Sequence, residues 1–184
     1  MDTPILLGYA VAMVAIGYAT WVLFATLRTD VPFVPTLRKD LRRIFELANI
    51  QLSDTVVELG SGDGRFILDA VGRFGARRGT GYDLSRPLVV LARLRARRRG
   101  VEDRATFVCA DARSCDVSNA TLVYLYLVPA FVDELAGSTL LALAPGARVL
   151  SSDFPIDIAK HRAFKLIRYE KLSRKGSAYL YERQ

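Results

Sequence analysis

Val57-Glu58-Leu59-Gly60-Ser61-Gly62-Asp63-Gly64-Arg65 sets the architecture of the chain. Thr55 to Leu59 is apolar and β-branched and reads as a buried strand. Gly60 to Gly64 reads as a tight turn. Arg65 to Phe74 reads as a helix, with Phe66, Ile67, Ala70, Val71 and Phe74 on one side. Glycine lets the backbone turn sharply and lets a ligand approach without a Cβ in the way. The helix that follows offers free N–H groups to polar ligand atoms. G-x-G-x-G is weak alone, and its position between strand and helix is what gives it meaning.

The same alternation continues outward. A strand is predicted over Gly79–Tyr82, ending at Asp83, and a helix over Pro87–Arg99, closed by Gly100. Strands follow at Ala105–Cys109 and Thr121–Tyr126. A helix over Phe131–Leu143 ends before Pro145-Gly146. The next strand is Ala147–Ser151, ending at Asp153. Two further strands, Phe164–Glu170 and Ser177–Tyr181, flank a Ser173–Gly176 turn. Upstream, Thr36 N-caps a helix over Leu37–Ala48. β-α-β-α order at this spacing means a parallel doubly wound sheet, here closed by an antiparallel pair.

The chain has 184 residues, 51% of them hydrophobic, and a net charge of +7. This excludes a disordered chain, and two cysteines exclude a disulfide scaffold. Cys109, Cys115 and His161 are too few soft ligands for a zinc site. Ile5 to Leu27 runs 23 residues without a charge, roughly 34 Å as a helix and long enough to cross a bilayer. An acidic N-terminus and the length of the stretch argue against a signal peptide. Asp2 precedes the span, and Arg28, Arg38, Lys39, Arg42 and Arg43 follow it, so the positive-inside rule puts the remainder in the cytoplasm. The expected organisation is an anchor at 1–27, a linker and helix at 28–48 with Pro32 and Pro35 keeping the linker extended, and a catalytic domain at 49–184.

In doubly wound sheets ligands sit beyond the carboxyl ends of the strands. Those ends carry Glu58 to Gly64, Asp83, Asp111, Tyr126 to Pro129, and Asp153. Asp83 closes the second strand, 19 residues after Gly64. A carboxylate there accepts both hydroxyls of a ribose, or else caps the helix begun at Pro87 in competition with Ser85. The acidic Glu58 and Asp63 around the turn suit a cationic ligand and repel a pyrophosphate. S-adenosylmethionine, a sulfonium with an ammonium group and no phosphate, meets that condition. Glu58 either reaches the amino end of the cofactor or orients the glycine turn. Asp63 either caps the helix or faces the methionine moiety. Tyr126 lines the methyl-transfer site or serves as a core or lid tyrosine. Asp153 attracts the acceptor or, as we favour, simply occupies a strand end. Cys109 and Cys115 are expected reduced in or near the core, and His161 in a solvated loop. Arg93, Arg95, Arg97, Arg98 and Arg99 are read as the basic end of a helix.

Val57 to Arg65 resembles motif I of class I methyltransferases, Gly81-Tyr82-Asp83 resembles their ribose-binding motif, and Asp111 matches the acidic position near the adenine edge. The N-terminal span, Val31-Pro32-Phe33-Val34-Pro35-Thr36, Gly81 to Leu84 followed by Pro87-Leu88-Val89, Val128-Pro129, and Asp153-Phe154-Pro155 are together similar to the membrane-anchored lysine methyltransferases of the adenine nucleotide translocase and the ATP synthase c-subunit. The likeness runs from the anchor to about Pro155, and the chain looks like a prokaryotic relative. It implies a Rossmann-like methyltransferase sheet and S-adenosylmethionine bound by Glu58, Gly60, Ser61, Gly62, Asp63, Asp83, Leu84, Asp111 and Ala112. It implies a membrane-embedded protein substrate with an accessible lysine and no metal or nucleic acid. Residues Pro32 to Thr36 either close over the cofactor or dock the anchor to the domain, and docking with some cofactor contact is the favoured expectation. The implied reaction is direct methyl transfer to a deprotonated amine, with Tyr126 beside it. A small-molecule, lipid or nucleic-acid methyltransferase, and a non-catalytic protein with the same fold, are the alternatives.

Overall fold

The computed structural model describes residues 6–9, 11–14, 16–17, 20, 38–172 and 176–184. The chain divides into two compact units, Met1–Val34 and Pro35–Gln184. In the first, the described backbone at 6–9, 11–14, 16–17 and 20 is helical. The rest of the Ile5–Leu27 span, the 28–36 linker, the Thr36 cap and most of the Ser173–Gly176 turn lie outside the described residues. Among the described residues no helix is long and apolar enough to cross a membrane.

The second unit carries seven strands: β1 Thr55–Leu59, β2 Arg78–Asp83, β3 Ala105–Cys109, β4 Leu122–Leu125, β5 Arg148–Ser152, β6 Phe164–Lys171 and β7 Ser177–Arg183. Their order is β3-β2-β1-β4-β5-β7-β6. The first five run parallel, and β7 pairs antiparallel with β5 and β6. The helices are α1 Arg38–Ala48, α2 Arg65–Gly72, α3 Arg86–Arg98 and α4 Pro129–Ala136. Strand order reverses at β1, the switch point where doubly wound sheets bind ligands.

Aromatic rings tie α1 to the sheet. Phe45 stacks on Phe74 at 4.1 Å and on Phe66 at 4.7 Å, and Phe66 stacks on Tyr124 of β4 at 4.0 Å. Leu41, Ile44, Leu47 and Ala48 complete the buried face of α1, as the helical spacing of its apolar residues requires. At the opposite edge from the glycine turn, Asp54 is clamped by the Gln51 N–H at 2.7 Å, the Thr121 hydroxyl at 2.6 Å and Arg148 at 2.6 Å.

The helix expected over Phe131–Leu143 is two pieces. It begins two residues earlier, with Pro129 in its first turn, and stops at Ala136; a short 3-10 turn, Thr139–Ala142, follows. Gly137 and Ser138 break it, the Ser138 hydroxyl donating back to the Glu134 carbonyl at 2.7 Å. The helix expected to reach Phe74 stops at Gly72, ahead of Gly75 at φ +77°.

Candidate functional site

Gly60, Gly62 and Gly64 all have positive φ, at 82°, 52° and 77°. Two of them also lack room for a side chain. A Cβ on Gly60 would lie 2.7 Å from Leu127, and one on Gly64 would lie 2.6 Å from the Phe107 ring. The left-handed backbone favours glycine at both, and at Gly64 the Phe107 ring and Ala92 add a packing demand that the movable Leu127 tip does not impose at Gly60. The turn is stitched to the end of β2. The Gly60 and Ser61 N–H groups donate to the Tyr82 carbonyl at 2.9 and 2.8 Å, and the Gly62 N–H donates to Asp83 at 2.7 Å.

Asp83 is half-buried. Its second oxygen accepts the Ser85 N–H at 2.8 Å. The Ser85 side chain makes no capping bond to α3, so neither residue caps that helix by its side chain. Burial pushes the Asp83 carboxyl above its usual range, against the pull of the two N–H groups. Each oxygen keeps a lone pair for a hydroxyl.

Glu58 closes β1 beneath the turn and is buried. Burial raises its carboxyl well above the usual range, Asp63 and Asp83 raise it further, and the Ile67 N–H pulls the other way. Among the described residues, its Oε2 and the Ser61 Oγ are buried without a hydrogen-bond partner. Two orphaned polar atoms flanking a glycine cradle are what an absent polar ligand leaves behind. S-adenosylmethionine fits this donor set, with its ammonium donating to carboxylates and its ribose hydroxyls to Asp83.

Asp63 does not cap α2, whose N-cap is Gly64. Arg65 holds the Asp63 carboxylate bidentately at 2.9 and 2.7 Å, and Arg95 holds it at 2.5 Å. Those guanidiniums outweigh burial and keep its pKa below the ordinary value. Asp111 caps the 3-10 turn Ala112–Ser114 through the Arg113 N–H at 2.9 Å. Ala112 is buried and Leu84 is exposed. Arg113 also pairs with Glu134 at 2.7 Å and lies 4.5 Å over the Phe131 ring.

Tyr126 follows β4, between Leu125, which pairs with Leu59, and Leu127, which packs at Gly60. Burial and the facing Asp153 carboxylate push its hydroxyl up to about 12, with Asp40 of α1 adding to the shift. Asp153 sits at φ +64°, rare for a residue with a side chain. It accepts the Ser177 N–H at 3.1 Å and returns its own N–H to the Ser177 carbonyl at 2.6 Å. Asp40 and the Asp153–Ser177 link carry no local signal in the sequence, whereas Leu127 lies in the Tyr126–Pro129 strand end already singled out.

Two expectations are corrected. His161 is not solvated: its side chain is 9% exposed, and Nε2 lies 2.6 Å from Asp133. Cys109 is exposed at the end of β3 rather than in or near the core. The arginine run is the basic end of α3, as read, and three of its members are engaged: Arg93 donates to the Phe107 carbonyl at 2.9 and 2.6 Å, Arg95 pairs with Asp63, and Arg99 pairs with Asp69 at 2.7 Å.

A doubly wound sheet with a glycine turn at its switch point and a carboxylate closing the next strand defines a class I methyltransferase. The chain belongs to the ANTKMT methyltransferase domain family, whose pattern it matches over residues 58–163. It is 32% identical to a protein-lysine N-methyltransferase of Saccharolobus islandicus over 82% of this chain and 92% of that one. It is 33% identical to the adenine nucleotide translocase lysine N-methyltransferase of Mus musculus over 71% of this chain, but spans only 56% of that protein. An RNA methyltransferase of Salinibacter ruber, solved with S-adenosyl-L-homocysteine, is 35% identical, superposes with a TM-score of 0.74, and is covered over 81% of this chain and 93% of its own. The cofactor is S-adenosyl-L-methionine.

Proposed function

We propose that this chain methylates a lysine of a membrane protein, held to the membrane by Ile5–Leu27 with its catalytic domain on the cytoplasmic side. The observation that carries the reading is the glycine turn laced to Asp83 above the orphaned Glu58 and Ser61 oxygens. Family membership and the name of the archaeal relative supply lysine as the acceptor. The name of the mouse relative, which acts on adenine nucleotide translocase, supplies the membrane-protein substrate. The 23-residue uncharged stretch supplies the anchor.

When bound, the cofactor supplies an electrophilic methyl on a sulfonium. Glu58, Gly60, Ser61, Gly62, Asp83, Leu84, Asp111 and Ala112 hold it, with Asp83 on the ribose and Asp111 and Ala112 at the base. Asp63 supports the turn through its two arginines. Tyr126 orients the acceptor nitrogen and helps exclude water, which is most of what direct transfer to an amine needs. The lysine ammonium, with a reference pKa of about 10.4, must first shed a proton, and desolvation beside a cation favours that loss.

A second reading, an RNA acceptor, draws on a groove of about 820 Å³ between α1, α2 and α3, lined by Arg42, Arg65, Arg73, Arg95, Arg98 and Arg99, and on the name of the Salinibacter relative. Most of that charge is already engaged internally, by Asp63, Asp69 and Glu46. Incubation with radiolabelled S-adenosylmethionine and membranes from cells lacking the protein separates the readings. Label in a membrane protein, mapped to lysine, supports the first. Label in RNA or lipid alone overturns it.

A further inference from the structure

The outward face of α3 is unlike a solvated helix. Its sequence, RPLVVLARLRARR, holds five arginines and no carboxylate. A water-facing helix usually interleaves acids with its bases. Leu88, Val89, Ala92 and Ala96 are buried against the sheet. On the other side Arg86, Val90, Leu94 and Arg97–Arg98 succeed one another at intervals of three or four residues and so form one stripe. Val90 is 53% and Leu94 46% exposed. Arg93, Arg95 and Arg99 are held by Phe107, Asp63 and Asp69. Among the described residues, Arg86, Arg97 and Arg98 enter no ion pair and remain available to an external anion.

The geometry points to this stripe as a surface that rests on an anionic bilayer, Val90 and Leu94 dipping among the acyl chains and Arg86, Arg97 and Arg98 pairing with lipid phosphates. Exposed aliphatics between guanidiniums are the signature of an interfacial helix. A single-stranded nucleic acid wants aromatic rings to stack on, and the stripe has none. The inference rests on the reading of a membrane-bound enzyme and adds which face meets the lipid. Two aliphatics and three arginines bind weakly alone. Ten residues separate Leu27 from Arg38, a reach of at most ~35 Å, so a tether makes weak contact sufficient. The consequence is positional. The Asp83–Ser85 bond fixes the start of α3 to the end of β2, so lipid contact along α3 holds the cofactor edge of the sheet beside the bilayer, within reach of a lysine on an embedded protein.

The test uses the full chain in vesicles of phosphatidylcholine, without or with about one-third phosphatidylglycerol. Leu94→Cys in a Cys109→Ser background takes an environment-sensitive nitrobenzoxadiazole label. Cys115, half-buried with its thiol pushed up to about 11, reacts poorly, and the background protein without Leu94→Cys measures any remainder. The expected result is brighter, blue-shifted emission on the anionic vesicles only, abolished by high salt. The double variant Arg97→Gln/Arg98→Gln lowers the constant for burial of the label by about 30-fold. Water-like emission on both vesicles overturns the inference. A shift that ignores the arginine variant, or one produced by poly(U) RNA and not by vesicles, overturns it as well. Flotation after an alkaline wash reports separately on the anchor. A chain that washes off has no anchor, which overturns the membrane-held reading; its weaker untethered α3 contact is then read from the label with anionic vesicles raised to saturating lipid.

Discussion

The Gly62 N–H donates to the Asp83 carboxylate at 2.7 Å, so the residue we propose for the cofactor's ribose also fixes the turn we propose for its methionine end. Cofactor site and turn are one hydrogen-bonded object, spanning the end of β2 and the start of α2. Asp83 has two more acceptor lone pairs facing the site, and a ribose offers two hydroxyls.

Asp83→Ala then removes two charge-assisted hydrogen bonds to ligand, one to the turn at Gly62 and one to the Ser85 N–H. At about 1.5–3 kcal/mol for each ligand bond, affinity for S-adenosylhomocysteine falls by about 10²-fold or more. Asp83→Asn keeps an acceptor without the charge and falls about tenfold. Titration calorimetry measures both, and circular dichroism shows the fold retained. Wild-type affinity in Asp83→Ala sinks the ribose assignment.

Glu58 predicts an unusual pH dependence. Its folded carboxyl is raised well above the ordinary value, so the native state holds the proton more tightly than the unfolded chain. Its contribution to stability is fully present below the unfolded pKa of about 4.3 and is lost as pH rises through the raised folded value. Glu58→Gln carries no such penalty. The cofactor-free variant should gain in melting temperature over wild type as pH goes from about 5 to about 8. A gap that stays constant across that range refutes a strained Glu58.

The glycines separate conformation from packing. Gly100 lies at φ +62° with nothing near its missing Cβ, whereas Gly64 lies at φ +77° with Phe107 at 2.6 Å and Ala92 at 2.8 Å. Gly100→Ala should cost about 1 kcal/mol from the left-handed backbone alone. Gly64→Ala adds overpacking, for roughly 2–5 kcal/mol in all. Urea denaturation of the two variants gives the comparison directly, and equal losses would remove the packing argument.

What was legible in the sequence was local. The strand Thr55–Leu59 is observed as read, and the glycine turn and Asp83 are signalled within 30 residues by apolar runs and turn chemistry. The first five strands run parallel, as the alternation of strand and helix implied, and the closing antiparallel pair is present as read. What was missed depends on partners far along the chain. His161 is buried by Asp133, 28 residues away. Arg95 finds Asp63 across 32 residues and Arg99 finds Asp69 across 30. No periodicity encodes such meetings, because they exist only once the elements that carry the two partners have packed together. The break at Gly137-Ser138 was present in the residues, but apolar spacing on both sides masked it.

The Asp54–Arg148 pair gives the sharpest stability test, because it joins four segments far from the site. Asp54 is 5% and Arg148 19% exposed in their side chains, and they meet at 2.6 Å. Arg148 also donates to the Ala48 carbonyl at 2.5 Å, closing the end of α1 onto the sheet. Burial pushes the Asp54 carboxyl up, but the Gln51 N–H, the Thr121 hydroxyl and Arg148 outweigh it, and the carboxyl stays below its ordinary value. A carboxylate lowered in the folded state gives stability above its unfolded pKa, lost as pH falls through the folded one. Arg148→Met leaves that charge buried without its counter-ion and should cost about 3–5 kcal/mol at neutral pH. The loss should shrink as acid protonates Asp54. Asp54→Asn/Arg148→Met removes the stranded charge and should recover part of the loss. Denaturation curves at neutral and acid pH measure all three quantities. A single-variant loss below about 1 kcal/mol, in the range of an exposed pair, would show that the bridge does not lock the sheet.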